Sequence, residues 1–179
     1  IGFVFAKKSK RFISYDMAKV LKKRLDKRVK AVGVFVNESI ENIIYLVRND
    51  IIDLIQLHGD EDSEYISKLK NYVNTPVIKA FRIKSKSDIN NLYKEGSDFI
   101  LLDAGAGDGK TLDESILKDF KDDYFLAGGL SPDNIYEKIN TLHPFGVDVS
   151  SGIETDGKKD AAKMRKFVKL VREVENERN

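Results

Sequence analysis

The feature that most restricts the fold of this chain is a strict alternation of short apolar runs with longer, charged stretches. Seven runs stand out: residues 1–5 (IGFVF), 31–36 (AVGVFV), 53–57 (DLIQL), 77–81 (VIKAF), 99–102 (FILL), 124–127 (YFLA) and 146–149 (GVDV). They are rich in Val, Ile, Leu and Phe, as parallel strands buried on both faces must be. Between them the apolar residues fall at three-and-four spacing, as in Met17, Val20, Leu21 and Leu25. That period lays one apolar stripe along a helix. It predicts helices over 14–28, 39–48, 62–72, 85–95, 132–140 and 159–175. Ser39, followed by Glu41 and Asn42, reads as an N-cap, and Ser131-Pro132 as an N-cap with Pro at the first helical position.

Strands alternating with helices mean a parallel α/β sheet. A doubly wound dinucleotide fold would carry GxGxxG after an early strand, and the chain has none there. The units recur about every 20–30 residues without a crossover break, which favours a closed barrel. Seven strands are one short of eight, and Ile1 already lies inside an apolar run. The expectation is therefore one α/β domain over residues 1–179, a (β/α)8 TIM barrel lacking its first βα unit, with the runs as strands two to eight. A sheet so shortened would have unpaired edges that invite self-association.

Composition narrows the function. Lys and Arg number 31 against 29 Asp and Glu, a net charge of +2. That is too little to argue for nucleic acid or a membrane surface as partner. The one basic cluster, Lys7-Lys8-Ser9-Lys10-Arg11, is short and has no interleaved aromatic beyond Phe12. The longest apolar runs are about five or six residues, far below a membrane span. The absence of cysteine removes disulfides, thiolate chemistry and Cys-held metals, and fits a reducing, cytoplasmic setting. The two histidines, His58 and His143, are placed so that a metal site is not expected.

In such a barrel the chemistry sits where strands end at the carboxyl face. The run 124–127 leads into Gly128-Gly129-Leu130, and 146–149 into Ser150-Ser151-Gly152. Each could be an ordinary tight turn, but two such loops at adjacent strands read as a phosphate site, because glycine lets backbone N–H groups approach an anion. Asp103 ends the run 99–102 and is either a general acid with a raised pKa or a turn-capping residue. Arg11 could grip a carboxylate with two parallel hydrogen bonds, or belong to a solvated loop. His58 could be an acid, a base, a substrate donor or an orienting group, whereas His143, before Pro144, reads as structural. Residues 105–111 (GAGDGKT) end like a P-loop, but the glycine that motif requires five positions before its second Gly is Ala104 here. This stretch reads better as a mobile active-site loop.

Taken in order, IGFVF with KSKRFIS, VGVFVN, QLHGDE, VIKAFR, LLDA with GDGKT, LAGGLSPDNI, and GVDVSSGIE with GKKD resemble phosphoribosylanthranilate isomerase over essentially the whole chain. QLHG, and DVSSGxE with GKKD, are not general barrel features. The resemblance implies a cofactor-free, metal-free Amadori rearrangement in tryptophan biosynthesis: N-(5′-phosphoribosyl)anthranilate becomes 1-(o-carboxyphenylamino)-1-deoxyribulose 5-phosphate. It implies Asp103 as general acid on the furanose ring oxygen and Arg11 on the anthranilate carboxylate. It puts the phosphate on Gly128, Gly129, Ser150, Ser151 and Gly152, and Asp148 and His58 near the substrate. The partner is a small sugar phosphate, and the assembly a monomer or homodimer. The family's general base is a cysteine in a Lys-Ile-Cys-Gly strand upstream of the segment matching residues 1–5, so the chain as written is expected to be inactive without it. The rivals are another sugar-phosphate barrel, such as indole-glycerol-phosphate synthase, and a non-catalytic phosphate-binding barrel fragment. The former should carry Lys and Glu at several strand ends; here Lys79 lies within a strand and Glu154 after one.

Overall fold

Each apolar run becomes a strand: four are shorter than their runs, 124–127 is unchanged, and 77–81 and 99–102 each gain one residue. The computed structural model describes residues 1–89, 92, 96–104, 115–118 and 120–178. The strands are β1 (Gly2–Val4), β2 (Val32–Phe35), β3 (Leu54–Leu57), β4 (Val77–Arg82), β5 (Phe99–Asp103), β6 (Tyr124–Ala127) and β7 (Gly146–Val147). They follow chain order in one sheet. The registered pairs are parallel: Val4 lies opposite Val34, Val34 opposite Gln56, Gln56 opposite Ile78, and Phe125 opposite Gly146. The helices between them are α1 (Tyr15–Arg24), α2 (Ile40–Arg48), α3 (Ser63–Lys70), α4 (Lys86–Ile89), α5 (Ser115–Lys118), α6 (Ile135–Leu142) and α7 (Ala161–Arg178). A small antiparallel hairpin, β8 (Glu154–Thr155) with β9 (Lys158–Lys159), precedes α7.

The differences from the sequence reading have local causes. Helix α1 stops at Arg24 because Leu25 is extended and Asp26 ties its carboxylate to the amide and guanidinium of Arg28. Ser39 does cap α2, accepting from the Asn42 amide at 3.4 Å. At Ser131-Pro132 the Ser131 hydroxyl accepts from the Asp133 amide at 3.3 Å and its carbonyl from the amides of Asn134 and Ile135, but these bonds form a turn ahead of the helix: α6 begins at Ile135, with Asn134 at its N-cap position and no side-chain cap bond. His143 closes the far end of α6 in a left-handed conformation (φ 50°). The glycine-rich stretch 105–111 and the second half of the helix expected over 85–95 fall outside the described residues, apart from Leu92.

Two compact units divide the chain: 1–81 with 92–100, and 82–91 with 101–179. In the first, Phe3, Phe5, Phe35, Ile55, Leu57 and Val77 pack on Ala18 of α1, Ile43 and Leu46 of α2, and Ile66 and Leu69 of α3. Phe5 stacks on Phe35 at 5.3 Å. Residues at odd positions of β1, β2 and β3 thus face the helices, and Val4, Val34 and Gln56 face the other way. In the second unit, Ile135, Ile139 and Leu142 of α6 and Phe167 and Val174 of α7 are buried. The Tyr124 hydroxyl, pushed up to about 12 by burial, donates to the Leu142 carbonyl at 2.9 Å.

At the amino ends of the strands the first unit uses the same device twice. Asp53, just before β3, accepts from Lys22 of α1 and from the Ala31 amide at 2.6 Å. Asp98, just before β5, accepts from Lys70 of α3 at 3.0 Å and from the Val77 amide at 2.8 Å. Burial alone would raise both carboxyls. The lysine and amide hydrogen bonds outweigh it, and both end below the usual carboxylate value. A carboxyl depressed in the native state stabilises fully above its unfolded pKa of about 3.9 and loses that contribution as pH falls through the native value. Asp53→Asn is therefore expected to cost ~1–2 kcal/mol at pH 7. It should also flatten the acid limb of the stability–pH curve, which urea melts between about pH 3 and 7 would reveal. An acid limb as steep as the parent's would show that Asp53 does not supply this pH dependence.

Candidate functional site

The carboxyl ends of β2, β3 and β4 carry the buried polar side chains. Among the described residues, Gln56, Glu61 and Lys79 are the buried polar or charged side chains, at 6, 5 and 4 % exposure. Glu61 lies in the loop after β3. Its carboxylate accepts from the Asn37 amide at 2.6 Å and the Gly59 amide at 2.9 Å. Lys79, from β4, donates to the Gly59 carbonyl at 2.6 Å and to Glu61 at 3.2 Å. One ion pair thus ties the exits of β2 and β3 to β4. The β2 exit turns through Asn37 in a left-handed conformation (φ 52°), and the Asn37 side-chain oxygen accepts from the Asp60 amide at 2.7 Å. A Cβ at Gly59 would lie 2.4 Å from that oxygen, so only glycine fits there. Burial, then the charges of Glu61, Glu38 and Glu41, raise the Tyr65 phenol, which stays protonated and donates to the Glu38 carbonyl at 2.7 Å.

His58 sits at the top of β3 inside this frame, half-buried. Its amide donates to the Phe35 carbonyl at 2.8 Å. Its Nδ1 is 3.3 Å from Nε2 of Gln56. Arg11, half-buried, follows β1 in a turn where Ser9 Oγ accepts the Arg11 amide at 3.1 Å and the Ile13 amide returns to the Val4 carbonyl.

In the second unit the expected residues gather at the carboxyl ends of β5, β6 and β7. Asp103 is the last residue of β5, half-buried, and its carbonyl accepts from the Ile83 amide at 3.1 Å. The next amide, Ala104, donates to Ala127, which ends β6. Asp148 follows β7 and donates its amide to Leu126 of β6. The two glycine loops meet. A Cβ at Gly152 would lie 1.8 Å from the Leu130 carbonyl oxygen, so backbone packs on backbone and no side chain is possible. Gly128 and Gly129 take positive φ (92° and 64°), a region open to glycine at little cost. Asn134 steadies this loop, accepting from the Ser131 amide and donating to the Gly129 carbonyl. The helix behind it begins only at Ile135, so the turn at 131–134 separates Gly129 from α6.

Lys159 is a residue the motif reading passed over. Its Nζ donates to the Ser150 carbonyl at 2.8 Å and hydroxyl at 3.3 Å and pairs with Glu154 at 3.0 Å. The GKKD motif holds the signal, since the turn at Asp156-Gly157, both at positive φ, folds β9 back so that Lys159 reaches Ser150. Glu61 and Lys79 were similarly missed. A lysine inside an apolar strand and a glutamate two residues after Gly59 are a pair in waiting.

The comparisons with known proteins agree with one another. The family model described as N-(5′-phosphoribosyl)anthranilate (PRA) isomerase matches residues 1–170. An N-(5′-phosphoribosyl)anthranilate isomerase from Endomicrobium trichonymphae is 44% identical over 180 residues, covering 97% of this chain and 87% of that protein. The crystal structure of phosphoribosyl anthranilate isomerase from Thermotoga maritima has a TM-score of 0.84 at 36% identity, covering 96% of this chain and 87% of that one. A second crystal structure, of the isomerase with reduced 1-(o-carboxyphenylamino)-1-deoxyribulose 5-phosphate, has a TM-score of 0.81 at 36% identity, over 96% of this chain and 86% of that one.

The buried pair is testable through stability. Lys79→Met leaves Glu61 charged and unpaired, and is expected to cost ~3–5 kcal/mol. Glu61→Gln keeps one oxygen where the two amides bond different carboxylate oxygens, and it strands the buried Lys79 charge, so it should cost at least as much. Chemical denaturation that leaves either variant within about 1 kcal/mol of the parent would mean that this ion pair does not hold the strand exits.

Proposed function

This chain belongs to the N-(5′-phosphoribosyl)anthranilate isomerase family, and from that premise we propose how its own residues serve the family's reaction. It is an isomerase of tryptophan biosynthesis with the α/β barrel fold of its relatives. Among the described residues no helix is long and apolar enough to cross a membrane.

The observation that carries the reading is the contact between the two glycine loops. Gly152 against Leu130, with Gly128 and Gly129 at positive φ, leaves backbone rather than side chains at the ends of β6 and β7. Backbone amides on such loops suit a phosphate. In our reading Gly128, Gly129, Ser150, Ser151 and Gly152 hold the phosphate of N-(5′-phosphoribosyl)anthranilate. Lys159 adds positive charge beside Ser150. Asp148 lies near the ribose.

Asp103 is the general acid. It gives its proton to the furanose ring oxygen as the C1′–O bond breaks and the anthranilate nitrogen forms a C=N bond. A base then takes the C2′ proton, and the resulting enolamine tautomerises to the aminoketose. Arg11 binds the anthranilate carboxylate, and His58 contacts the substrate. No cofactor or metal enters these steps. The base assigned by resemblance is a cysteine, and these 179 residues contain none.

The test follows fluorescence loss of freshly made phosphoribosylanthranilate. It uses the chain alone and the chain joined to a Lys-Ile-Cys-Gly strand and its helix. The 179 residues alone are expected to show no turnover, and the joined chain to turn over. In the joined chain, Asp103→Asn should lower kcat by ~10²–10⁴-fold. Arg11→Met should raise KM by roughly 10-fold or more. Turnover by the short chain alone would move the base elsewhere, and an Asp103→Asn enzyme within a few-fold of its parent would remove Asp103 from the acid role. Separately, Gly152→Ala forces the two loops apart, so its KM should rise with kcat less affected. An unchanged KM would argue against the phosphate assignment.

A further inference from the structure

Gln56 is out of place for its layer of the sheet. Registered across four strands, Val4, Val34, Gln56 and Ile78 form one row, and the other three are apolar. Gln56 is 6 % exposed. An amide buried in such a row is costly unless it is hydrogen-bonded. Its partner is the imidazole of His58, two residues on and therefore on the same face of the strand. The atoms that meet are Nε2 of Gln56 and Nδ1 of His58, at 3.3 Å. An amide nitrogen carries two hydrogens and no lone pair to offer, so Nδ1 must be the acceptor. A neutral imidazole that accepts at Nδ1 carries its hydrogen on Nε2.

We propose that Gln56 is a positioning residue that locks His58 in the Nε2–H tautomer, so that His58 meets the substrate as a hydrogen-bond donor and not as the base. This deepens the functional reading above and rests on it only for the identity of the ligand. The backbone on either side makes the donor's position definite. The His58 amide is tied to Phe35, the Gly59 amide to Glu61 and the Gly59 carbonyl to Lys79. With Nδ1 engaged by Gln56, His58 would offer a ligand the hydrogen on Nε2. It suits an oxygen acceptor on the substrate, a hydroxyl, carboxylate or phosphate oxygen, and is poorly suited to take a proton from carbon.

The chain has two histidines, so long-range ¹H–¹⁵N correlation spectra of the imidazoles are simple to assign, with His58→Asn identifying the His58 set. Spectra recorded at about pH 9 should show His58 with a pyridine-like Nδ1 and a pyrrole-like Nε2. Gln56→Glu replaces the donor with an acceptor of the same shape and should swap the two patterns. Gln56→Met should leave a mixture. A pyrrole-like Nδ1 in the parent chain, or an unchanged pattern in a folded Gln56→Glu variant, overturns the proposal. Should both variants fail to fold, the parent spectrum alone decides. Reduced 1-(o-carboxyphenylamino)-1-deoxyribulose 5-phosphate is then added. A shift of the His58 Nε2 resonance without loss of its hydrogen is expected, and binding that leaves His58 unmoved overturns the donor role. If the parent spectrum shows the Nε2–H form but this ligand does not bind, the functional reading fails while the Gln56–His58 assignment stands.

Discussion

A parallel strand covered by helices has no wet face, and this one restriction arranges the polar chemistry of the chain. Ile55 and Leu57 face the helices and Val34 faces the other way, so charge is largely excluded from the strand middles. It collects at the ends. At the amino ends Asp53 and Asp98 satisfy the first amides of neighbouring strands and draw a lysine from the preceding helix. At the carboxyl ends Glu61 and Lys79 do the comparable work for Asn37 and Gly59. The difference lies in the backbone. The amino-end carboxylates tie together ordinary extended chain. The carboxyl-end loops contain left-handed residues and glycines with no room for a Cβ, which is what close approach to a ligand demands.

Much of the fold was legible because both patterns are strong in the sequence. A short unbroken apolar run is distinct from a stripe at three-and-four spacing, and Ser39 and the run 124–127 behave in the structure as they read on the page. What could not be read is where competing local bonds win. Leu25 looked like the next apolar position of a continuing helix, yet the Asp26–Arg28 clasp ends α1 before it. Ser131-Pro132 has the composition of a helix start. Its carbonyl instead closes a turn, and the helix begins at Ile135. In both places local hydrogen bonds worth about 1 kcal/mol each compete with the helix, and a residue pattern does not resolve differences of that size.

The candidate site was legible residue by residue and illegible as a network. Asp103 ends a strand, Gly128, Asp148 and Ser150 follow strands, and that placement is visible in the chain. The contact of Gly152 with Leu130, which explains why two separate loops each need glycine, joins positions 22 residues apart, as the numbers 130 and 152 show. Glu61 with Lys79 spans 18. Such pairs become visible only once register has brought β3 beside β4.

Register also turns Gln56 from one letter of a motif into a physical question. In sequence it is the polar letter between Ile55 and Leu57 in the run 53–57. The sheet sets it in a row with Val34 and Ile78 and leaves it 6 % exposed, so its hydrogen bonds must come mainly from the protein. Stability alone would favour a leucine or valine at that level. A residue that lowers the quality of the layer it sits in has to be explained by what it touches, and it touches the ring of His58. The buried frame of Glu61 and Lys79 then has a reason to be charged as well. It fixes the backbone on the far side of the same histidine from a direction no apolar side chain could, through the amide and the carbonyl of Gly59 together.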